Sequence, residues 1–323
     1  MQLSVLPNDN GSRLDKFLTA QLTNTTRSQI KKLIQQQAVL VNGQGASVHK
    51  FLKTGDVVTV TEPKPTATNV PKPAPAVAEA VLEPTVIFET PDYAILNKPA
   101  GLLVHPTAAQ EPHTLAAWLR SRYPDIAEVG DESHRAGIVH RLDRDVSGVM
   151  IIAKTKTMFT YLKKMFKARR MRKEYIALVY GHMQQPTGEI NLPIGRNKDG
   201  QFVAHPTTDG KKYQSADRVA KTRYQVIEYV KDYTLLRVQI LTGRTHQIRA
   251  HLSAIGHPII GDVIYQPKKK IFHFLRRRIK VISCPRIFLH ATHLSFALPT
   301  KQRVTYDAAL PEELNTFLQT LKQ

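Results

Sequence analysis

Acid, base and hydroxyl side chains crowd together in one stretch of this chain, Val139-His140-Arg141-Leu142-Asp143-Arg144-Asp145-Val146-Ser147-Gly148. An apolar lead-in, Gly137-Ile138-Val139, precedes it, and a largely β-branched run, Val149-Met150-Ile151-Ile152-Ala153, follows its Ser-Gly turn. The pattern predicts a tight loop between two buried strands, where a scaffold can fix a reactive group. Arg141 and Arg144 flank Asp143 and favour its ionised form, which suits a nucleophile. The same residues also fit a solvated loop with ordinary surface ion pairs. A hydrolase pairing Asp143 with Asp145 is a third reading. Against it, carboxylates two apart on a loop need not converge, and flanking arginines oppose the raised pKa that a general acid requires.

A second stretch with chemical content is Thr242-Gly243-Arg244-Thr245-His246-Gln247-Ile248-Arg249-Ala250-His251-Leu252. Ile248, Leu252 and Ile255 fall on one helical face, and Gly256 ends the helix before His257-Pro258. His246 and His251 are five apart and so do not share a face as a metal-binding pair four apart would. With one cysteine, Cys284, the chain has no cysteine-based zinc site and no intramolecular disulfide, which fits a reducing cytoplasm. The expectation is no metal.

The elements that position these stretches can be read in outline. With 323 residues there is room for two domains. Ser12 is the expected N-cap of a helix that puts Leu14, Phe17, Leu18 and Leu22 on one face, and a second helix begins near Thr26 with Ile30, Leu33 and Ile34 inward. A strand, Val39-Leu40-Val41, enters an Asn42-Gly43 turn, and Val57 to Val60 forms another. Residues 63 to 84, rich in proline and alanine, read as an extended linker between a first domain, 1–62, and a second, 85–323. The second opens with strands near Val86 and Tyr93, the latter running into Lys98-Pro99-Ala100-Gly101, a turn with a cation at its shoulder. Met158, Leu162, Met165 and Phe166 repeat at helical spacing, Lys173 to Val179 and Leu235 to Leu241 read as strands, Phe288 to Leu298 as a returning strand pair, and 311–321 as a C-terminal helix.

Charge points to the partner. Forty-six lysines and arginines against 26 acids give a formal net charge of +20, which fits a polyanion, either nucleic acid or an anionic membrane surface. No apolar run approaches the length of a membrane span and no signal-peptide pattern opens the chain. Acid-free clusters recur: Arg27, Lys31 and Lys32 off the apolar face of the second helix, then Lys163, Lys164, Lys167, Arg169, Arg170, Arg172 and Lys173, read as one helix side facing phosphate. Residues 267–280 add seven basic groups among apolar ones, as an RNA-contacting excursion or a membrane-surface helix; no second membrane signal supports the latter.

Together these motifs carry a resemblance. His140-Arg-Leu-Asp143-Arg-Asp-Val146-Ser147-Gly148 resembles the His-Arg-Leu-Asp-x-x-Thr-Ser-Gly motif of the RluA-type pseudouridine synthases, with Val146 where that family has Thr. The valine lacks the hydroxyl and with it a loop hydrogen bond. Asn97-Lys-Pro-x-Gly with His105-Pro106, Lys173-x-Tyr175, and Thr242-Gly-Arg-Thr-His-Gln-Ile-Arg-x-His-Leu through Gly256-His-Pro-Ile-x-Gly-Asp262 are similar to further family segments, and residues 10 to 61 resemble an S4 domain. The resemblance implies an α+β fold, an S4-like module before a catalytic domain with a long mixed, mainly antiparallel sheet flanked by helices. It implies isomerisation of specific uridines to pseudouridine in structured RNA, without cofactor, by a monomer. Large-subunit ribosomal RNA is the first expected substrate and transfer RNA the alternative; a non-catalytic RNA-binding or assembly factor is the rival from another class. The implied catalytic residues are Asp143 as nucleophile, Tyr175 beneath the base and Arg244 paired with the aspartate, with Arg249 the second candidate for that pairing. The expected RNA-binding residues are Arg27, Lys31, Lys32, Arg141, Lys163, Lys164, Lys167, Arg170 and Arg249.

Overall fold

The computed structural model describes residues 2–22, 30, 33–34, 38–46, 50–61, 82–106, 111–130, 136–197, 200–205, 217–266 and 282–323. They fall into two compact units, one within 1–79 and one within 80–323. Arg27, Lys31, Lys32, the start of the second helix, nearly all of the proline-rich stretch and the basic segment 267–280 lie outside the described residues.

In the first unit, β1 (Gln2–Ser4), α1 (Leu14–Gln21), β2 (Val39–Val41), β3 (Gln44–Gly45) and β4 (Val57–Val60) surround a small core. The antiparallel sheet runs β1-β4-β2-β3. Asn42 and Gly43 both take positive φ, as the two-residue turn between β2 and β3 demands. Leu14, Phe17 and Leu18 meet Ile30, Ile34 and Leu52 inside. Ser12 is not the cap. Arg13 occupies that position without a capping side-chain bond, because it bridges Phe51 in the sheet direction while its guanidinium grips Asp15 through bonds of 2.7 and 2.8 Å.

The second unit is built on β5 (Thr85–Glu89), β6 (Tyr93–Lys98), α2 (Leu115–Arg122), β7 (Ser147–Ala153), α3 (Lys156–Lys167), β8 (Arg172–Tyr180), β9 (Thr187–Ile190), β10 (Ile194–Arg196), β11 (Phe202–Ala204), β12 (Thr222–Val230), β13 (Tyr233–Ile240), α4 (Gln247–Ala254), β14 (Leu289–Ala297), β15 (Arg303–Asp307) and α5 (Glu312–Lys322). Nine of the described strands form one sheet in the order β5-β6-β7-β14-β8-β13-β12-β9, with β15 added on β14. Every pairing is antiparallel except β7 with β14, so the α+β, mainly antiparallel expectation holds. The returning segment near Phe288 is one nine-residue strand, β14, whose hairpin partner is β15.

Central and edge strands differ as their sequences dictate. Every residue of β7 is buried, matching its unbroken apolar run, whereas β12 alternates exposed and inward residues at its register. Gly148 opens β7 at φ 123°, and a Cβ there would lie 2.2 Å from the Ala291 carbonyl oxygen of β14. Only glycine lets the parallel pair close at the foot of the Asp143 loop. The lead-in to that loop makes a single bridge, Ile138 to Ile152, rather than a strand.

On α3, Met158, Leu162 and Met165 are buried as their spacing predicts. The run of cations that follows is not one helix face. The helix ends at Lys167, the chain reverses through Arg169 at φ 58°, and Arg172 and Lys173 begin β8.

Candidate active site

Asp143, on the loop before β7, lines a cavity of about 490 Å³. Tyr175 of β8, Phe166 of α3, Thr242 to Gly243 beyond β13, and His246 and Arg249 at the start of α4 also line it. That volume is in the range of small-ligand sites. Among the described lining residues, Arg141, Lys167, Arg169, Lys173, Arg244 and Arg249 are cations, and Asp143 is the one acid.

The loop is tied down from three sides. Lys98, at the end of β6, is wholly buried rather than at a solvent shoulder, and its Nζ donates to the carbonyls of Pro99 (2.8 Å), Leu102 (2.8 Å) and Arg144 (3.0 Å). Burial pushes this ammonium down to about 7, opposed by the nearby Asp145 and Asp143. Three N–H donors serve three carbonyls, so the cation matches its cage. At the other end Ser147 is held by Arg286, which donates from Nη2 at 2.8 Å, and by buried His290 at 2.8 Å. The His290 Nε2 faces the Ala308 carbonyl, so its Nδ1 accepts from the serine hydroxyl. Between them Val146 turns into the core, and its backbone N–H donates to the Asp143 carbonyl at 3.2 Å. Where the family motif has a threonine hydroxyl, the turn here is closed by backbone.

Asp143 pairs with Arg249, and this corrects the assignment of that role to Arg244. Arg249 Nη1 donates to Asp143 Oδ2 at 3.2 Å, while its Nε and Nη2 fork onto Asp262 at 2.7 and 2.8 Å. Burial opposes the Arg249 charge, but Asp262 and Asp143 more than offset it and raise its pKa. Burial likewise pushes Asp262 up, and Arg249 with the Ile264 and Tyr265 amides overcomes this, leaving it ionised below the usual range. Arg249 is therefore buried in a clamp rather than spread on an outer RNA-facing surface. Arg244 is exposed; its Nε donates to the Val219 carbonyl at 3.2 Å, and it reaches the cavity without bonding Asp143.

The flanking arginines do not pair with Asp143 either. Arg141 Nη1 lies 3.4 Å from His105 Nε2, and Arg144 Nε donates to the Gly101 carbonyl at 3.3 Å. Asp145 is exposed beside Arg144, at 3.9 Å, and so is not held as Asp143 is.

Tyr175 is held in register between Val238 of β13 and Ala291 of β14. Burial first and the Asp143 charge second raise its pKa far above the ordinary phenol, so it stays a hydroxyl donor. His246, whose φ of 54° makes it the left-handed N-cap of α4, faces Asp143 Oδ2 at 3.8 Å and Tyr265 Oη at 3.2 Å. Burial pulls it below the usual imidazole range, against the pull of Asp143, so this contact is dipolar near neutral pH. A non-glycine residue in that conformation is uncommon and marks a site that the surrounding structure over-determines. Gln247 supplies part of that constraint: its Oε1 accepts from Thr242 Oγ1 and the Arg244 amide, and its Nε2 donates to the Lys221 carbonyl and Thr222 Oγ1.

A carboxylate held by a buried arginine, in a cavity that also carries several cations and a tyrosine hydroxyl, can act as a nucleophile or electrostatic stabiliser toward a polyanionic substrate. Comparison with known proteins narrows the chemistry. Residues 92–254 match the RNA pseudouridylate synthase model, and residues 12–58 match the S4 domain. An RNA pseudouridine synthase of Chloroflexus aurantiacus is 38% identical over 98% of this chain and 92% of its own. The chain belongs to the RNA pseudouridylate synthase family. The ribosomal large subunit pseudouridine synthase D of Zymomonas mobilis is 34% identical over 96% of this synthase and 94% of that one. The solved human RNA pseudouridylate synthase domain containing 1 superposes with a TM-score of 0.54 at 26% identity, covering 75% of this chain and 96% of the human one.

The remaining cations of the synthase are placed as follows. Lys163, Lys164, Lys167 and Arg170 are exposed on and just after α3, and Lys167 also reaches the cavity. Lys163 lies over the Phe159 ring. Three residues with a part in the site carry no such role in the sequence: Lys98 reads as a turn cation, His246 as half of a rejected metal pair, and Asp262 as the end of a motif. The signal for Asp262 was present, an acid closing the long Gly-His-Pro-Ile-x-Gly-Asp segment, while Lys98 and His246 depend on contacts that sequence separation hides.

Proposed function

We propose that this synthase isomerises specific uridines of large-subunit ribosomal RNA, with Asp143 as the group that attacks the sugar or assists release of the base. In the reaction the C1′–N1 bond breaks, the freed uracil turns, C1′ bonds to C5, and the C5 proton is lost as N1 gains one. The net change is an isomerisation and needs no redox partner. Arg249 would aim Asp143 through a charge-assisted bond, and Asp262 would fix Arg249. Tyr175 would lie against the flipped base, giving or taking a proton. Extrusion of the base costs a few kcal/mol and is cheapest in loops and bulges.

The observation that carries this reading is Asp143 on a buried Arg249–Asp262 clamp inside a cavity whose other charged lining residues, among those described, are all cations. That arrangement suits a polyanion approaching one fixed carboxylate. Support for ribosomal RNA comes from the S4 domain and from the Zymomonas relative, whose name gives the large ribosomal subunit. Work on ribosomal RNA would place the synthase in the cytoplasm. An N-terminal RNA-binding module at 1–62, joined by a linker at 63–84 to the catalytic domain at 85–323, would let one part grip the RNA while the other reaches the base.

The test offers the purified synthase unmodified large-subunit ribosomal RNA and unmodified transfer RNA in parallel, then maps carbodiimide adducts, which mark the mass-silent product, by reverse-transcription stops. Stops at discrete positions of the ribosomal RNA support the reading. Stops confined to transfer RNA move the substrate, and none in either returns the chain to a binding role.

A further inference from the structure

Among the described residues, Lys173 is a cation of the cavity with no anionic partner. Lys173 and Tyr175 are two apart on β8 and so project from the same face of the sheet into the cavity, roughly 7 Å apart along the strand. Glu174, between them, projects from the opposite face, where Arg172 (2.6 Å) and Arg237 (3.8 Å) take its carboxylate. Among the described residues, no acid neutralises Lys173, and its ammonium makes no side-chain hydrogen bond and no ion pair. Its Nζ sits 5.3 Å from the centre of the Phe166 ring, which is itself stacked on His140 at 4.7 Å. On the other flank is Gly243, where an added Cβ would come 3.7 Å from that Nζ. An aromatic face and a bare glycine shed water from the ammonium without supplying an anion. Burial accordingly pushes it down to about 8.

We propose that the Lys173 ammonium receives a backbone phosphate adjoining the nucleotide whose base lies against Tyr175. A desolvated cation at a cavity wall gains most from a full negative charge, which the carbonyls of a neutral base do not provide. The strand spacing to Tyr175 is of the order of the distance from a base ring to the phosphates flanking its sugar. Cations nearer the rim, Lys167 and Arg169, are exposed and solvated, so this one contact reports the seated nucleotide rather than general attraction to RNA.

The inference rests on the uridine-isomerising reading and is tested so that the two fail separately. The probe is a stem-loop of large-subunit ribosomal RNA bearing a uridine that the wild-type synthase modifies, made also with one neutral methylphosphonate on either side of that nucleotide. Binding is measured for wild type, Lys173→Gln and Lys173→Arg, with thermal melts to confirm folding. For wild type, one of the two methylphosphonates should weaken binding. Lys173→Gln should show a similar loss with unmodified RNA, no further loss with that methylphosphonate, and a log–log salt slope lower by roughly 0.7. Lys173→Arg should keep most of the affinity. Losses that multiply at both methylphosphonates overturn the proposal, as does a Lys173→Arg protein that binds normally yet reacts as slowly as Lys173→Gln, which would indicate proton transfer. If the wild type forms no pseudouridine in any ribosomal stem-loop, the parent reading falls, and this one with it.

Discussion

Replacing Arg249 by alanine should damage the synthase far more than replacing Arg244, although the two stand five residues apart in one motif. Arg249 holds two carboxylates with three bonds of 2.7 to 3.2 Å, and the Asp262 side chain beneath it is completely buried. Without the guanidinium, Asp262 Oδ1 keeps the Ile264 and Tyr265 amides, but Oδ2 is left without a donor. Breaking such a buried pair costs about 3–5 kcal/mol. For a unit of this size that lowers the melting temperature by roughly 6–20 °C. Asp143 also loses the bond that aims it; the loss of one such preorganised electrostatic contact slows a reaction by about 10²–10³-fold. Arg244, exposed and holding the Val219 carbonyl by one 3.2 Å bond, should cost about 1 kcal/mol or less. Urea melts give the stability, and single-turnover pseudouridine formation with saturating RNA, at a temperature where both variants are folded, gives the rate. An Arg244→Ala protein as unstable and as slow as Arg249→Ala would refute the clamp as the element that governs Asp143.

Two further outcomes follow from groups around the loop. Lys98→Met should slow single-turnover formation tenfold or more and also lower the urea midpoint, because it leaves the carbonyls of Pro99, Leu102 and Arg144 without their donor and frees the Arg144 carbonyl from the loop's anchor; wild-type rates in that variant would deny the anchor its role. Stability should fall with acid: burial holds His140 down to about 3 and His290 down to about 4, against an ordinary value near 6.5. The folded state thus binds fewer protons than the unfolded one below pH 6.5, so stability present above that value is lost as pH falls toward 4, roughly 2–3 kcal/mol between pH 7 and 5.5 from these two. Equal urea midpoints at the two pH values would contradict it.

How far the sequence leads depends on the range of the contacts involved. The continuous run of β7, the inward Met158, Leu162 and Met165 of α3, and the Asn42-Gly43 turn are local patterns, and each is where periodicity and turn chemistry put it. Arg244 and Arg249 look alike in sequence. What separates them is the left-handed His246, which turns the chain so that Arg249 enters the core on the first turn of α4 and Arg244 stays outside. Periodicity carries no information about that reversal. The cations from Lys163 form one block in the sequence, yet a single residue at positive φ, Arg169, sends the last two, Arg172 and Lys173, into a strand and brings Lys173 beside Tyr175. Lys98 reads as a turn cation because its deciding acceptor, the Arg144 carbonyl, is 46 residues away.

Asp143→Asn tests the central claim most directly. The change keeps the side chain's shape, and the loop remains anchored by Lys98, Arg286 and His290, so a folded protein that still binds RNA is expected. Its single-turnover formation of pseudouridine at saturating RNA should fall below detection. Substantial turnover by that folded variant would contradict Asp143 as the group that does the chemistry.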